Sequence, residues 1–218
     1  MTDLLVIAPH PDDEILGCGA TMARYLREGK TVQVVYIGEG AFPGPEGRET
    51  IRRACMALGM EGDFRSVVDS PYQDQRFELY SRAEMADLIA KAVDVSQPAT
   101  VLVPFYGDVN LDHRVVFEAA MVALRPTRDF IRRVACYETA SSTEWGSIHK
   151  FSPNWYVEVM AVDLQKKQDA LYVYESEMKP EPHPRNAGTL FRKACTRGSE
   201  VCAHYAEAFM IVREVERV

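Results

Sequence analysis

Apolar residues in this chain alternate between short β-type runs and longer stretches at helical spacing. The first run, residues 4–8, breaks at a polar turn, and residues 13–28 then carry apolar positions at helical spacing until Gly29 stops the pattern. A second β-type run over 31–37 leads into a Gly/Pro-rich loop at 38–47, followed by a helix over 49–58 that ends at Gly59. The pattern then predicts a strand at 63–68, an amphipathic helix at 82–95 and a continuous apolar strand at 100–105, as in a buried parallel sheet. A helix over 114–124, strands at 133–138 and 155–159, a helix from 164 to about 174 and a late strand at 208–215 complete the reading. The loops at 38–47 and 177–189 are the longest irregular stretches, where substrate contacts often lie. Strands alternating with helices predict a three-layer α/β fold around a mostly parallel sheet.

Bulk properties narrow the function classes. With 218 residues, one domain spanning 1–218 is the simplest organisation. The net charge of −7 disfavours nucleic acid, whose binding needs a basic surface. No basic segment precedes the first apolar run, and that run is too short for a secretion signal or a membrane span. Five cysteines at 18, 55, 136, 195 and 202 form no CxxC pair, which fits reduced thiols in the cytoplasm. A homo-oligomer is compatible with the sequence but not specified by it.

The chemistry concentrates in two turns. His10-Pro11-Asp12-Asp13-Glu14 follows the first strand, and Asn110-Leu111-Asp112-His113 follows the strand at 100–105. A fold gains nothing from packing a His and three carboxylates at the end of a buried strand. In open α/β sheets such strand ends are where ligands bind. If both strands are central and parallel, His10, Asp13 and His113 meet there, and two imidazoles with one carboxylate leave the open position a catalytic zinc needs. Asp12 cannot easily share that metal with its neighbour and is free to carry protons, while Asp112 is placed to hold a ring N–H of a neighbouring His. Glu14 suits first-turn capping or a structural hydrogen bond.

The run Pro9–Glu14 and the later Asp112-His113 closely resemble the PIG-L/LmbE-like family of metal-dependent deacetylases. The likeness extends through Gly17-Cys18-Gly19, Ala57-Leu58-Gly59 and Tyr205-Ala206-Glu207-Ala208-Phe209, and so covers nearly the whole chain. It implies a Rossmann-like fold, zinc on His10, Asp13 and His113 (another divalent ion such as Fe(2+) being the alternative), Asp12 as general base, and N-acetylated amino sugars or glycoconjugates as substrates. One position departs from the pattern: many members read HxDH in the second turn, where this chain has Asn110. An amide can donate to an oxyanion but cannot supply a proton. Asp12, Asn110 and Asp112 therefore form the expected catalytic set, with Asp12 moving both protons or another group, such as His183, completing the site.

Three further residues are candidate substrate contacts. His183 and Arg185, in the stiff Pro182-His183-Pro184-Arg185 segment, either face the pocket or belong to a rigid surface loop. Arg48 either meets a sugar hydroxyl or phosphate, or is a solvated residue at a helix start. Tyr106 and Asp108 lead into the second turn as weaker pocket candidates. Two other function classes compete. His10-x-Asp12 with His113 also matches the 2-His-1-carboxylate set of non-haem iron oxygenases, though these favour all-β folds. A non-catalytic ligand-binding α/β domain is the other, but Gly17 and Gly19 lie within a helix pattern, so no dinucleotide fingerprint supports it.

Overall fold

Strand β1 (Thr2–Ala8) is apolar on both faces because both are covered. Leu4, Val6 and Ala8 enter one core cluster, while Leu5 and Ile7 enter another on the opposite side of the sheet. The computed structural model describes residues 2–60 and 76–216; the strand expected at 63–68 lies outside them. Its elements run β1, α1 (Asp13–Arg27), β2 (Val32–Tyr36), α2 (Gly44–Leu58), α3 (Arg82–Ser96), β3 (Pro98–Pro104), α4 (Leu111–Ala123), β4 (Arg133–Tyr137), β5 (Trp155–Glu158), α5 (Ala161–Val173), α6 (Ala187–Ser199) and β6 (Ala206–Glu214).

These strands form a six-stranded sheet in the order β2-β1-β3-β4-β6-β5. The first four are parallel, with Leu4 opposite both Val32 and Thr100, and the last two join antiparallel at one edge. Helices α1, α2, α5 and α6 contribute to one core cluster, α3 and α4 to the other, which is the three-layer α/β architecture the alternation predicted. The strand order reverses between β1 and β3, so the two polar turns sit side by side at the switch point, the usual ligand crevice of such sheets.

Helix boundaries differ from the periodic reading where caps decide them. Helix α2 starts at Gly44, inside the expected loop, because Pro is well tolerated in a first turn. Helix α4 starts at Leu111, because the Asn110 side chain accepts the Asp112 N–H at 2.9 Å and caps it. Helix α6, within and beyond the expected 177–189 loop, was not anticipated: it buries only a narrow stripe of Leu190, Ala194 and Gly198.

Two chain segments of the sequence resemblance meet in the core. Helix α1 kinks at Cys18 (φ −142°, ψ 18°). The Glu207 carboxylate accepts the Ala20 N–H (3.1 Å) and the Thr21 N–H (2.6 Å) beyond the kink, while Lys167 Nζ bonds Glu207 (2.7 Å) and the Leu16 carbonyl (2.8 Å). Both charges are buried, so removing one partner would cost about 3–5 kcal/mol. Gly17 lies under the Tyr137 ring, where a Cβ would come within 2.3 Å of Cδ2. This packing sets the direction in which the first turn of α1 presents its acids.

Candidate active site

Asp12 adopts φ 111° and ψ −31°, a conformation that costs a residue with a side chain about 1–3 kcal/mol. Glu14 offsets that strain by accepting the Asp12 N–H at 3.0 Å, and Glu14 is itself held by the hydroxyls of Tyr36 (2.9 Å) and Tyr174 (3.4 Å). Burial pushes the Glu14 carboxyl up to about 7 against those hydrogen bonds. The consequence of the turn is that neighbouring carboxylates diverge. Asp13 points to the two histidines, and Asp12 points to Arg185.

The cluster on the Asp13 side is tight. Asp13 Oδ2 lies 3.2 Å from His10 Nδ1 and 3.3 Å from His113 Nε2, and it accepts the His10 backbone N–H at 3.0 Å. Ligand atoms of His10, Asp13 and His113 all fall within 4.8 Å of one another. Both imidazoles are oriented from behind. His113 Nδ1 sits 2.6 Å from Asp108 Oδ2, whose other oxygen accepts the Thr143 hydroxyl at 2.5 Å. His10 Nε2 sits 3.0 Å from Asp112 Oδ2, whose other oxygen accepts the Phe77 N–H at 2.9 Å, and the Phe77 ring stacks on His10 with centroids 5.4 Å apart.

Asp13 Oδ1 is buried with no hydrogen-bond partner, and His113 Nε2 has only its long 3.3 Å contact with Asp13 Oδ2. An orphan such as Asp13 Oδ1 costs about 1–3 kcal/mol, a penalty a bound cation would remove. Two imidazoles and one carboxylate, each imidazole backed by a carboxylate, suit a divalent ion with open positions. The charges agree. Burial works against protonation of His10, but hydrogen bonds to Asp112 and Asp13 push it up to about 9. Burial likewise opposes protonation of His113, but the Asp13 charge and the Asp108 hydrogen bond push it up to about 10. Asp13 is held well below the usual carboxylate range because, despite its burial, His113 and His10 stabilise its charge. These groups already demand a positive charge between them. Asp12 behaves oppositely: burial and the adjacent Asp13 charge raise it, with Arg185 opposing.

Beside the cluster opens a small cavity lined by His10, Pro11, Asp12, Ala41, Phe42, Asn110, Glu177 and Arg185. A roomier groove between α5 and α6, lined by Leu164, Leu171, Leu190 and Phe191, contains none of the cluster residues. Of the sequence candidates, His10, Asp12, Asp13, Asn110, Asp112, His113 and Arg185 come together here. His183 does not line the cavity: its ring packs edge-on against Trp145 (5.6 Å), and its Nδ1 accepts the Arg185 N–H at 3.1 Å. Arg48 does not line it either; it lies 3.8 Å from Glu39 on a half-exposed part of α2. Asp108 backs His113, while Tyr106 packs among Phe105, Phe117 and His149. Phe77, Thr143, Ser141 and Glu177 carried no sequence signal, since each acts through a residue more than thirty positions away or through a loop fold. The HxD spacing behind the oxygenase alternative is not the one used, since Asp13, and not Asp12, joins the two histidines, and the fold is α/β and not the all-β one such enzymes favour.

Asn110 has two jobs that substitution can separate. Its oxygen caps α4, and the residue lines the cavity. Asn110→Ala is expected to cost about 1 kcal/mol, whereas Asn110→Asp keeps the cap. If the amide assists the reaction, both variants lose turnover with metal content intact. Recovery of full turnover in the aspartate variant would reduce Asn110 to a cap.

The chain matches the family described as GlcNAc-PI de-N-acetylase (PIG-L) over residues 5–124, which contain both turns. It is 30% identical over 151 residues to "uncharacterized deacetylase YaiS" of Escherichia coli (strain K12), with 64% of this chain and 75% of that protein aligned. It is 28% identical over 158 residues to 1D-myo-inositol 2-acetamido-2-deoxy-alpha-D-glucopyranoside deacetylase 2 of Saccharopolyspora erythraea, with 57% of each aligned. Among solved structures, N,N'-diacetylchitobiose deacetylase from Pyrococcus horikoshii superposes with a TM-score of 0.72 at 21% identity, covering 97% of this chain and 84% of that one. At that identity the likeness is one of fold.

Proposed function

Because this chain belongs to the GlcNAc-PI de-N-acetylase (PIG-L) family, we propose that it is a zinc-dependent hydrolase that removes an N-acetyl or related N-acyl group from an amino sugar or glycoconjugate. The observation that carries the reading is the divergence of two adjacent carboxylates. One is locked between two imidazoles with an orphaned oxygen, and the other is turned into the cavity beside them. His10, Asp13 and His113 would hold the divalent ion, zinc by preference for this donor set and Fe(2+) as the alternative. When bound, such an ion lowers the pKa of water and polarises an acyl carbonyl.

The protein's own groups do the rest. Asp12 accepts a proton from the attacking water and returns it to the departing sugar amine, a double duty that its raised pKa favours. Asp108 and Asp112 keep the two rings in the orientation and tautomer the ligands need. The Asn110 amide is the group available to donate to the developing oxyanion. We place the reaction in the cytoplasm on the strength of five free cysteines; no helix among the described residues is long and apolar enough to cross a membrane.

The test is release of free amine from a panel of N-acetylated sugars and glycoconjugates, run with zinc-loaded and metal-stripped protein. Zinc-dependent cleavage of at least one member is expected. Failure of the zinc form on every member would remove the proposal.

A further inference from the structure

The proline-rich segment before α6 delivers one side chain to the cavity, and it is not the histidine. Arg185 Nη1 donates to Asp12 Oδ2 at 2.8 Å and lies 3.4 Å from Glu177 Oε2, while its Nε donates to Ser141 Oγ at 2.9 Å. The guanidinium is therefore anchored to the turn before α1 and to the loop after β4, two places far apart in the chain. No other partner of the Asp12 carboxylate is found among the described residues.

The segment is built as a platform for this contact. Pro180, Pro182 and Pro184 restrict the backbone. The Lys179 N–H donates to the Arg185 carbonyl (2.8 Å), the His183 N–H to the Pro180 carbonyl (3.1 Å), and the Asn186 side chain to the Lys179 carbonyl (3.2 Å). His183 fastens the Arg185 backbone and rests on Trp145, and Asn186 caps α6 through the Gly188 N–H at 2.9 Å. A loop that only covered the site would need none of these constraints. The opposite assignment, capture of an anionic substrate group by Arg185, is poorly served here, because Asp12 and Glu177 already face the guanidinium.

We propose that Arg185 is a positioning residue for Asp12: through a guanidinium fixed by Ser141 and the proline platform, it engages Oδ2 and leaves Oδ1 aimed for proton transfer. This rests on the reading of Asp12 as the base. It also accounts for His183, whose contribution is to hold Arg185.

The experiment uses zinc-loaded protein. Arg185→Ala should lower kcat about 100-fold, the usual cost of a group displaced by about an ångström, with KM and zinc content unchanged. Added guanidinium ion should restore much of that loss, and urea, its neutral shape mimic, should not. Arg185→Lys should fall between the two, since an ammonium can reach Asp12 but cannot span to Ser141 as well. A raised KM with kcat intact would overturn the proposal in favour of substrate binding, and an unrescued loss accompanied by a lower Tm would reduce Arg185 to a structural residue. A readout independent of turnover is the arginine side-chain NMR spectrum. Resolved, slowly exchanging Nη signals for Arg185 that collapse in Asp12→Ala establish the clamp even if no sugar is cleaved, in which case it is the deacetylase reading that fails. Averaged Nη signals in the unaltered protein overturn the clamp whatever its activity.

Discussion

Asp12→Asn is expected to lower kcat by about 10³–10⁴-fold while leaving zinc content and KM close to those of the unaltered protein. General acid–base groups contribute about 10²–10⁴-fold, and the upper part of that range applies because one residue here serves both transfers. The site holds four aspartates, but three are already committed: Asp13 lies between the imidazoles, Asp108 behind His113, and Asp112 behind His10. Asp12 alone turns to the cavity, and at position 110 stands an amide that carries no transferable proton. The substitution preserves size and an acceptor oxygen for Arg185, so the loss isolates proton transfer from packing. Steady-state kinetics with metal analysis of the same samples decide it. A loss smaller than tenfold would transfer the base role to another group.

The second large effect concerns the metal. His113→Ala should abolish stoichiometric zinc binding and, with it, turnover, whereas Asp108→Ala, which only orients that ring, should weaken zinc affinity about 10–100-fold. The ordering separates a ligand from its support. Equal losses would mean that His113 does not bind the ion. Proton release gives a second signature. His10 and His113 sit at about 9 and about 10 without metal, so both are protonated from roughly pH 6 to 8 and both must give up a proton for an ion to bind. Zinc affinity should therefore rise about 100-fold per pH unit in that window, and calorimetry in buffers of different ionisation heat should count about two protons expelled. The orphaned Asp13 Oδ1 within the His10–Asp13–His113 cluster implies that zinc also stabilises the fold. At 1,000 times Kd it adds about 4 kcal/mol, or about 10 °C in Tm for a chain of this size. A Tm indifferent to zinc would count against the cluster as a metal site.

Much of this was legible in the sequence because it is local. A strand ending in His10-Pro11-Asp12-Asp13-Glu14 declares both its burial and its chemistry within a few residues, and the periodicity of the runs at 4–8, 13–28 and 100–105 places both turns in an α/β frame. Caps are local too, yet Asn110 was read for chemistry when it also starts α4. Helix α6 escaped notice because its buried stripe is narrow and follows a proline-rich loop.

By itself, then, the sequence determined the layered fold, the two reactive turns and the identity of the ligand candidates, all properties of contiguous residues. The sequence also set Asp13, and not Asp12, beside the histidines; only the tertiary structure showed how the two diverge, through the unusual Asp12 backbone held by Glu14. It decided that Asp108, itself held by Thr143, braces His113, that the Phe77 N–H fixes the Asp112 brace on His10, and that Arg185, not His183, reaches the cavity. Those contacts join residues tens to more than a hundred positions apart. Their partners are chosen by how the layers pack, which no local pattern of residues encodes.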